Sequence, residues 1–150
     1  MLTPGSAAPD FSLPNQNSES VHLHTLRGRR ILVYFYPKAS TPGCTQQACA
    51  LRDIADQIGD TVVLGISPDA PSAQLRFAEK YVLGFDLLSD GDHAVAERYG
   101  VWQEKKQYGR TYMGIVRSAF LIGTDGTIEH AWYKISPKDT PTRLLEALAS

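Results

Sequence analysis

A run of eight residues, Arg30–Pro37 (RILVYFYP), constrains the fold of this chain more than any other feature. It is rich in β-branched and aromatic residues and has no charge after its first position, which is typical of a strand buried on both faces. Thr61–Ser67 (TVVLGIS) has the same character. Strands of this kind lie in the middle of sheets that helices cover on both sides, so we predict an α/β domain.

Helical and extended patterns alternate along the rest of the chain. We predict helices over Pro42–Ile58, Pro71–Val82, Asp92–Tyr99 and Pro141–Ala149, and strands over Phe85–Leu88, Ser118–Ile122 and Thr127–Trp132. Asp125-Gly126 between the last two strands is a hairpin signal, so these strands run antiparallel and make the sheet mixed. Asp92 is the expected cap of the third helix.

The first thirty residues are predicted to be an irregular lead-in with one short hairpin. The order of elements fits a thioredoxin-like fold, in which helices flank a central mixed β-sheet. The length of 150 residues predicts a single domain over residues 1–150.

Charge and hydropathy exclude some classes of partner. Fifteen basic and sixteen acidic residues give a formal charge of −1, so there is no electrostatic reason to expect nucleic acid or an anionic membrane as partner. The N-terminus lacks the positive and apolar regions of a secretory signal. The longest apolar run, Ile31–Tyr36, is too short to span a bilayer. A cytoplasmic location is therefore expected.

Two cysteines occur, Cys44 and Cys49, and such a pair in a cytoplasmic protein is more often redox-active or metal-binding than structural. Cys44 follows the first buried strand, at the sheet edge where α/β proteins gather ligands. Thr41 is a suitable N-cap and Pro42 a suitable first helical residue, which puts Cys44 in the first turn. Unpaired N–H groups and the helix dipole favour the reactive thiolate there. The alternative is a cysteine that only packs in the core.

The spacing of the two cysteines limits how they can interact. Five residues along an ideal helix correspond to a rise of about 7.5 Å and a rotation of about 140°, so the two Cα atoms would lie about 8–9 Å apart. A disulfide requires Cα atoms within about 7 Å. If Cys44 and Cys49 share one helix, they can bond only after its first turns unwind. We therefore expect a pair that is reduced when folded and bonded after a local rearrangement.

The motif Pro37-x-x-x-Thr41-x-x-Cys44 resembles the active-site motif of the peroxiredoxins. The longer string TPGCTQQAC at 41–49 resembles the bacterioferritin comigratory protein subfamily, also called peroxiredoxin Q. The likeness extends along the chain through PDF at 9–11, GIS at 65–67, FAEKY at 77–81, LLSD at 87–90, YGVW at 99–102 and RSAFLI at 117–122. The chain is thus identified as similar to a family of thiol peroxidases.

The resemblance implies a role for each matching residue. Cys44 would be the peroxidatic cysteine, which is oxidised to a sulfenic acid, and Cys49 the resolving cysteine, which forms the disulfide. Thr41 would place its hydroxyl on the peroxide and the thiolate. Pro37 would shield the sulfur from water. Arg117 would hold the thiolate and the peroxide oxygens.

These residue types suit the reaction. Attack of sulfur on oxygen spreads negative charge along the S···O···O axis, and fixed donors stabilise that charge without reorganising. Arg117 carries a permanently charged fork of donors, although from sequence alone it is equally compatible with a surface ion pair. The backbone N–H groups of Gly43 and Cys44 are expected to complete the pocket, and Gly43 leaves room for the peroxide.

The resemblance also implies the reaction partners: hydrogen peroxide and organic hydroperoxides as substrates, and thioredoxin or a similar dithiol protein as reductant, in antioxidant defence. We expect no cofactor and no metal, and a monomer, because an intramolecular disulfide needs no second subunit. Gln47 stands where relatives often have glutamate, and Ala119 where threonine is common. The second predicted helix has no cysteine, so relatives that carry the resolving cysteine there are a poor model.

Three other interpretations remain open at this stage. His22-x-His24 on a strand would point both rings the same way, as in a metal-binding pair, but Cys44-x4-Cys49 is wider than the usual zinc pairing. A disulfide oxidoreductase would be expected to use C-x-x-C, which is absent. A peroxide sensor would use the same Cys44 chemistry without turnover. Neither G-x-G-x-x-G nor G-x4-G-K-[ST] occurs, so no nucleotide loop is predicted.

Overall fold

A five-stranded sheet forms the centre of the computed structural model, which describes residues 1–149. In chain order the strands are β1 Ser12–Pro14, β2 Ser20–His22, β3 Ile31–Phe35, β4 Val62–Ser67, β5 Asp86–Ser89, β6 Trp102–Gln107, β7 Arg110–Ile115, β8 Ser118–Ile122 and β9 Ile128–Trp132. The α-helices are α1 Pro42–Asp53, α2 Pro71–Tyr81, α3 Ala94–Arg98 and α4 Asp139–Ala149. The central sheet has the order β5-β4-β3-β8-β9.

Strand β3 lies in the middle of this sheet and is buried along its whole length. It runs parallel to β4 and antiparallel to β8, and β9 is antiparallel to β8. Its side chains alternate between two cores: Leu32 and Tyr34 belong to one apolar cluster, and Val33 and Phe35 to the other. The predictions of a strand buried on both faces and of a mixed α/β sheet are confirmed.

Three predicted helices are shorter than the sequence pattern indicated, and α2 lacks only its last predicted residue, Val82. Helix α1 ends at Asp53, since Ile54 has left helical geometry, and a short 3-10 turn follows over Ala55–Gln57. Ile58 remains buried although it lies outside the helix. An apolar stripe reports which residues face the core, and such a stripe continues past the point where the hydrogen-bond ladder stops.

Helix α3 begins at Ala94, two residues later than predicted. His93 precedes it with a positive φ of 51°. The carboxylate of Asp90 accepts bonds from the N–H groups of Val95 and Ala96, at 3.2 and 2.9 Å. Asp92 accepts only from the N–H of Ala94, at 3.2 Å. The expected cap, Asp92, is therefore secondary to a buried aspartate two residues earlier.

The hairpin of β6 and β7 was not predicted. Tyr108 and Gly109 form its turn with φ values of 53° and 73°, which suit a two-residue hairpin loop. The ribbon pairs with no strand of the central sheet, and most of its residues are exposed or half-buried. Because only Trp102 and Ile115 at its base reach a core, the apolar alternation that marks a strand is missing along the rest of the ribbon. Within the described residues, no helix is long and apolar enough to cross a membrane.

Candidate active site

Cys44 lies in the first turn of α1, immediately beyond the end of β3. Its side chain is buried, with 2% of its surface exposed. Pro42 starts the helix as predicted, and Thr41 occupies the N-cap position with extended geometry. The predicted side-chain cap is wrong, because the Thr41 hydroxyl donates instead to the carbonyl of Lys38 at 2.8 Å. That bond closes the loop before the helix and leaves the first-turn N–H groups without a side-chain cap.

Arg117 approaches the Cys44 sulfur from the neighbouring strand. Its Nη2 donates to Cys44 Sγ at 3.5 Å, and its Nη1 donates to Gln47 Oε1 at 2.7 Å. The sheet register explains this meeting: Phe35 at the end of β3 pairs with Ser118 at the start of β8, so the residue before Ser118 faces the loop that leads into α1. Among residues 1–149, Arg117 forms no ion pair with a carboxylate. The sequence was also compatible with a surface ion pair of Arg117, and the structure does not show one.

Gly43 permits the close approach of this arginine. A Cβ atom on Gly43 would lie 3.2 Å from Arg117 Nη2 and 3.6 Å from Pro137 Cγ. The sequence suggested that the glycine leaves room for a peroxide. In the structure, the guanidinium of Arg117 already uses that space.

Gln47 and Thr140 extend the site to α4, and sequence reasoning missed this link. Both are buried, and Gln47 Nε2 donates to Thr140 Oγ1 at 2.9 Å. Gln47 follows Cys44 by three residues on α1, a spacing that puts both on one helix face. That spacing was a signal for Gln47, whereas nothing in the sequence pointed to Thr140.

The structure does not bring Cys49 into contact with Cys44. Both cysteines are free on α1, and Cys49 is half-buried. Pro37 follows the fully buried Tyr36 and is itself half-buried. In the structure, Arg117 therefore lies against both Gly43 and Cys44, and Cys49 lies further along the same helix.

A chain of buried and half-buried polar groups holds the loop that leads into α1. The backbone N–H of Ala39 donates to Asp69 Oδ2 at 2.8 Å, and the Ser67 hydroxyl donates to the same oxygen at 2.6 Å. Gln74 Nε2 donates to Ser67 Oγ at 2.9 Å, and the Tyr36 hydroxyl donates to Gln74 Oε1. The loop between β4 and α2 thus fixes the loop between β3 and α1.

Other ionisable side chains surround the cysteines. Burial raises the pKa of the Tyr34 phenol well above its usual value, and Tyr36 and Cys44 raise it further. Tyr34 therefore stays neutral near the sulfur. Lys105 Nζ donates to the carbonyl of Ile115 at 2.7 Å, and burial, followed by the nearby charge of Arg117, lowers its pKa.

The histidines lie away from this site. His24 Nδ1 lies 3.1 Å from Asp10 Oδ2, and its ring centroid is 5.7 Å from that of His22. Over residues 1–149, no three metal-ligating side chains cluster.

Comparison with known proteins gives a consistent set of relatives. The AhpC/TSA family model matches residues 4–131. A putative peroxiredoxin bcp of Haemophilus influenzae is 52% identical over 151 residues, which cover 99% of this chain and 97% of that protein. The peroxiredoxin Bcp of Escherichia coli K12 is 56% identical over 133 residues, covering 87% of this chain and 85% of its own.

Solved structures resemble this chain over almost its full length. A Xanthomonas campestris bacterioferritin comigratory protein, described for its alkyl peroxide reduction activity, superposes with a TM-score of 0.89 at 30% identity, covering 99% of this chain and 96% of that one. BcpB of Mycobacterium tuberculosis gives a TM-score of 0.88 at 31% identity, with coverage of 99% and 97%. These likenesses confirm the predicted thioredoxin-like fold.

Proposed function

Because the chain belongs to the AhpC/TSA family and is a thiol-dependent peroxidase of the peroxiredoxin Bcp group, we propose that Cys44 is the sulfur that attacks the hydroperoxide. Its substrate is a peroxide and its reductant a thiol. The observation that carries the assignment is the 3.5 Å contact between Arg117 Nη2 and the buried Cys44 Sγ. The family assignment supports a thiol peroxidase over a metal carrier or a C-x-x-C oxidoreductase.

In the first step, the Cys44 thiolate attacks the terminal oxygen of ROOH, and the O–O bond breaks. Sulfur loses two electrons and becomes the sulfenic acid, while RO⁻ leaves and takes a proton to give ROH. Arg117 stabilises the charge that spreads over sulfur and oxygen, because its guanidinium is already aimed at the sulfur. Its bond to Gln47 keeps the second arm of the fork in place.

Thr41, Pro37 and Gly43 shape the peroxide site. The Thr41 hydroxyl donates its hydrogen bond to the carbonyl oxygen of Lys38, so its free lone pairs accept a bond from the peroxide O–H. Pro37 limits access of water to the sulfur. The N–H groups of Gly43 and Cys44 donate to the peroxide at the start of α1.

In the second step, Cys49 attacks the sulfur of the sulfenic acid. The Cys44–Cys49 disulfide forms, and the displaced hydroxyl leaves as water with the proton of the Cys49 thiol. The first turns of α1 must unwind for this reaction, since both cysteines lie in one helix. A thioredoxin-type dithiol then exchanges with the disulfide, and it leaves oxidised while both protein thiols are restored.

The proposed cycle also bears on the substrates, the oligomeric state and the location of the protein. We propose that the substrates include hydrogen peroxide and organic hydroperoxides, since a relative is described for alkyl peroxide reduction. Resolution within one chain needs no partner subunit, which favours a monomer formed by one domain over residues 1–150. Two free cysteines suit a reducing compartment and therefore a cytoplasmic location.

Thiol mapping by mass spectrometry after one equivalent of peroxide tests this cycle. The wild-type protein is expected to give a 44–49 disulfide, and Cys49→Ser is expected to stop at the sulfenic acid of Cys44. A stable sulfenic acid in the wild type, or a disulfide that joins two chains, would contradict the role of Cys49.

A further inference from the structure

Gln47 is a buried side chain whose amide is bonded at both ends. Its Oε1 accepts from Arg117 Nη1 at 2.7 Å, and its Nε2 donates to Thr140 Oγ1 at 2.9 Å. Gln47 is fully buried and Thr140 is 1% exposed, so water does not compete for these bonds. The arginine at the sulfur is thus linked through one amide to α4.

The hydroxyl of Thr140 is itself oriented. It donates to the carbonyl of Ser136 at 2.9 Å, which turns an oxygen lone pair toward Gln47. Leu144 and Ala147, one and two turns further along α4, are buried on the same side as Thr140. The acceptor for Gln47 is therefore supplied by a helix that the core holds in place.

Gln47 lies between Cys44 and Cys49, inside the part of α1 that separates the two sulfurs. When this segment unwinds, Gln47 leaves its place and both of its bonds break. Arg117 then loses the acceptor of its Nη1, and Thr140 loses its donor. Unwinding and disassembly of the arginine site are consequently one event.

We propose that Thr140 is a positioning residue, whose hydroxyl stabilises the helical form of α1 through Gln47 and thereby sets how fast Cys49 reaches Cys44. This inference rests on the proposed function, because it assigns a rate to the formation of the 44–49 disulfide. In the helical state the hydroxyl satisfies a buried amide N–H. In the unwound state water can satisfy the same N–H, so the bond favours the helical state alone.

Thr140→Val tests the proposal because valine has the same shape without an acceptor. Gln47 Nε2 would remain buried without its partner in the helical state, which favours unwinding. We expect the disulfide to form about tenfold faster after a peroxide pulse, a change equivalent to about 1.4 kcal/mol. The sulfinic acid formed at high peroxide should fall by a similar factor, since resolution and overoxidation compete for the same sulfenic acid.

Two variants separate the hydroxyl from general loosening of α4. Thr140→Ser retains the hydroxyl and should behave as the wild type. Leu148→Ala weakens the packing of α4 against the core, touches no polar group of this chain of bonds, and should leave the rate of disulfide formation unchanged. Thr140→Ala removes the same hydroxyl with less risk to folding, and serves if the valine variant does not fold.

Quenched-flow mass spectrometry of the disulfide gives the outcome. A faster rate in Thr140→Val and a wild-type rate in both Thr140→Ser and Leu148→Ala supports the proposal. A wild-type rate in Thr140→Val, or an equal acceleration in Leu148→Ala, overturns it while the proposed function stands. Absence of the 44–49 disulfide in the wild type would instead overturn the proposed function itself.

Discussion

At the scale of single residues, the site depends on how closely Arg117 can approach α1. Glycine at position 43 leaves the guanidinium its place beside the Cys44 sulfur, whereas a Cβ there would lie 3.2 Å from Nη2 and would push the guanidinium aside by a few tenths of an ångström. Gln47 then fixes the other arm of the fork from the same helix. Gly43, Cys44 and Gln47, all on one helix, therefore determine the orientation of an arginine that lies seventy or more positions away in the chain.

Gly43→Ala is expected to separate stability from activity. Alanine is the better helix former, by up to about 1 kcal/mol, so the free energy of unfolding should not fall. The new methyl group displaces Arg117 by a few tenths of an ångström, and kcat/KM for peroxide should fall by about tenfold. Urea unfolding and initial peroxide consumption measure the two effects. An unchanged kcat/KM would show that the contact with Arg117 is unimportant.

Tyr34 and Tyr36 offer a matched pair of substitutions on β3. Both are fully buried, but Tyr36 donates to Gln74 and the Tyr34 hydroxyl has no partner among the described residues. Tyr36→Phe leaves Gln74 Oε1 unpaired and should lower the free energy of unfolding by about 1–3 kcal/mol. Tyr34→Phe removes an unsatisfied group and should raise it by about 1 kcal/mol. Equal effects in urea unfolding would contradict this assignment.

The sequence predicted those site features that depend on neighbours along the chain. Pro42 and Cys44 could be placed in a first helical turn from local signals alone, whereas the Thr41 cap failed because Lys38 competes for its hydroxyl. Arg117 required the family resemblance. Thr140 could not be foreseen, because its partner lies 93 positions away and no local pattern encodes such a bond.

At the scale of elements, one buried and one half-buried carboxylate position the ends of loops. Asp90, which is 2% exposed, binds two N–H groups of α3, and Asp69 binds the N–H of Ala39 before α1. Neither was predicted, since an aspartate before a helix looks the same in sequence whether it is buried or exposed. The hairpin of β6 and β7 was missed for a different reason, because beyond Trp102 and Ile115 at its base the ribbon is largely exposed and has no apolar alternation.

Asp90→Asn is expected to destabilise the protein in a pH-dependent way. The amide can accept at one oxygen only, so the free energy of unfolding should fall by about 1 kcal/mol. Burial raises the pKa of Asp90 above its ordinary 3.8, despite the opposing N–H bonds from Ala96 and Val95. Asp90 thus holds its proton at higher pH in the folded protein than in the unfolded chain. This preferential binding of the proton by the folded protein contributes to stability, and the contribution is fully present below pH 3.8.

The same contribution is lost as the pH rises through the raised pKa. The stability difference between wild type and Asp90→Asn should therefore shrink as the pH increases from 3.8 toward neutrality. Urea unfolding of both proteins at several pH values measures it. A difference that grows with pH would contradict the raised pKa.

At the scale of the whole molecule, sheet topology assembles the site. Parallel β3 and β4 bring their following loops to one edge of the sheet, where Asp69 holds the loop before α1. Antiparallel β8 begins at that same edge, opposite the end of β3. Arg117, the residue before β8, therefore lies next to Cys44. The α/β class and most strands followed from hydrophobic patterns, but this register arises from pairing between distant segments and no local pattern encodes it.

Peroxide consumption by Cys44→Ser tests the central claim most directly. With a dithiol reductant in excess, the wild-type protein should consume peroxide over many turnovers, and Cys49→Ser should still consume at least one equivalent through Cys44. Cys44→Ser should consume none above the rate without protein, since no other described side chain combines a free thiol with the Arg117 contact. Consumption by Cys44→Ser at the wild-type rate would contradict the account.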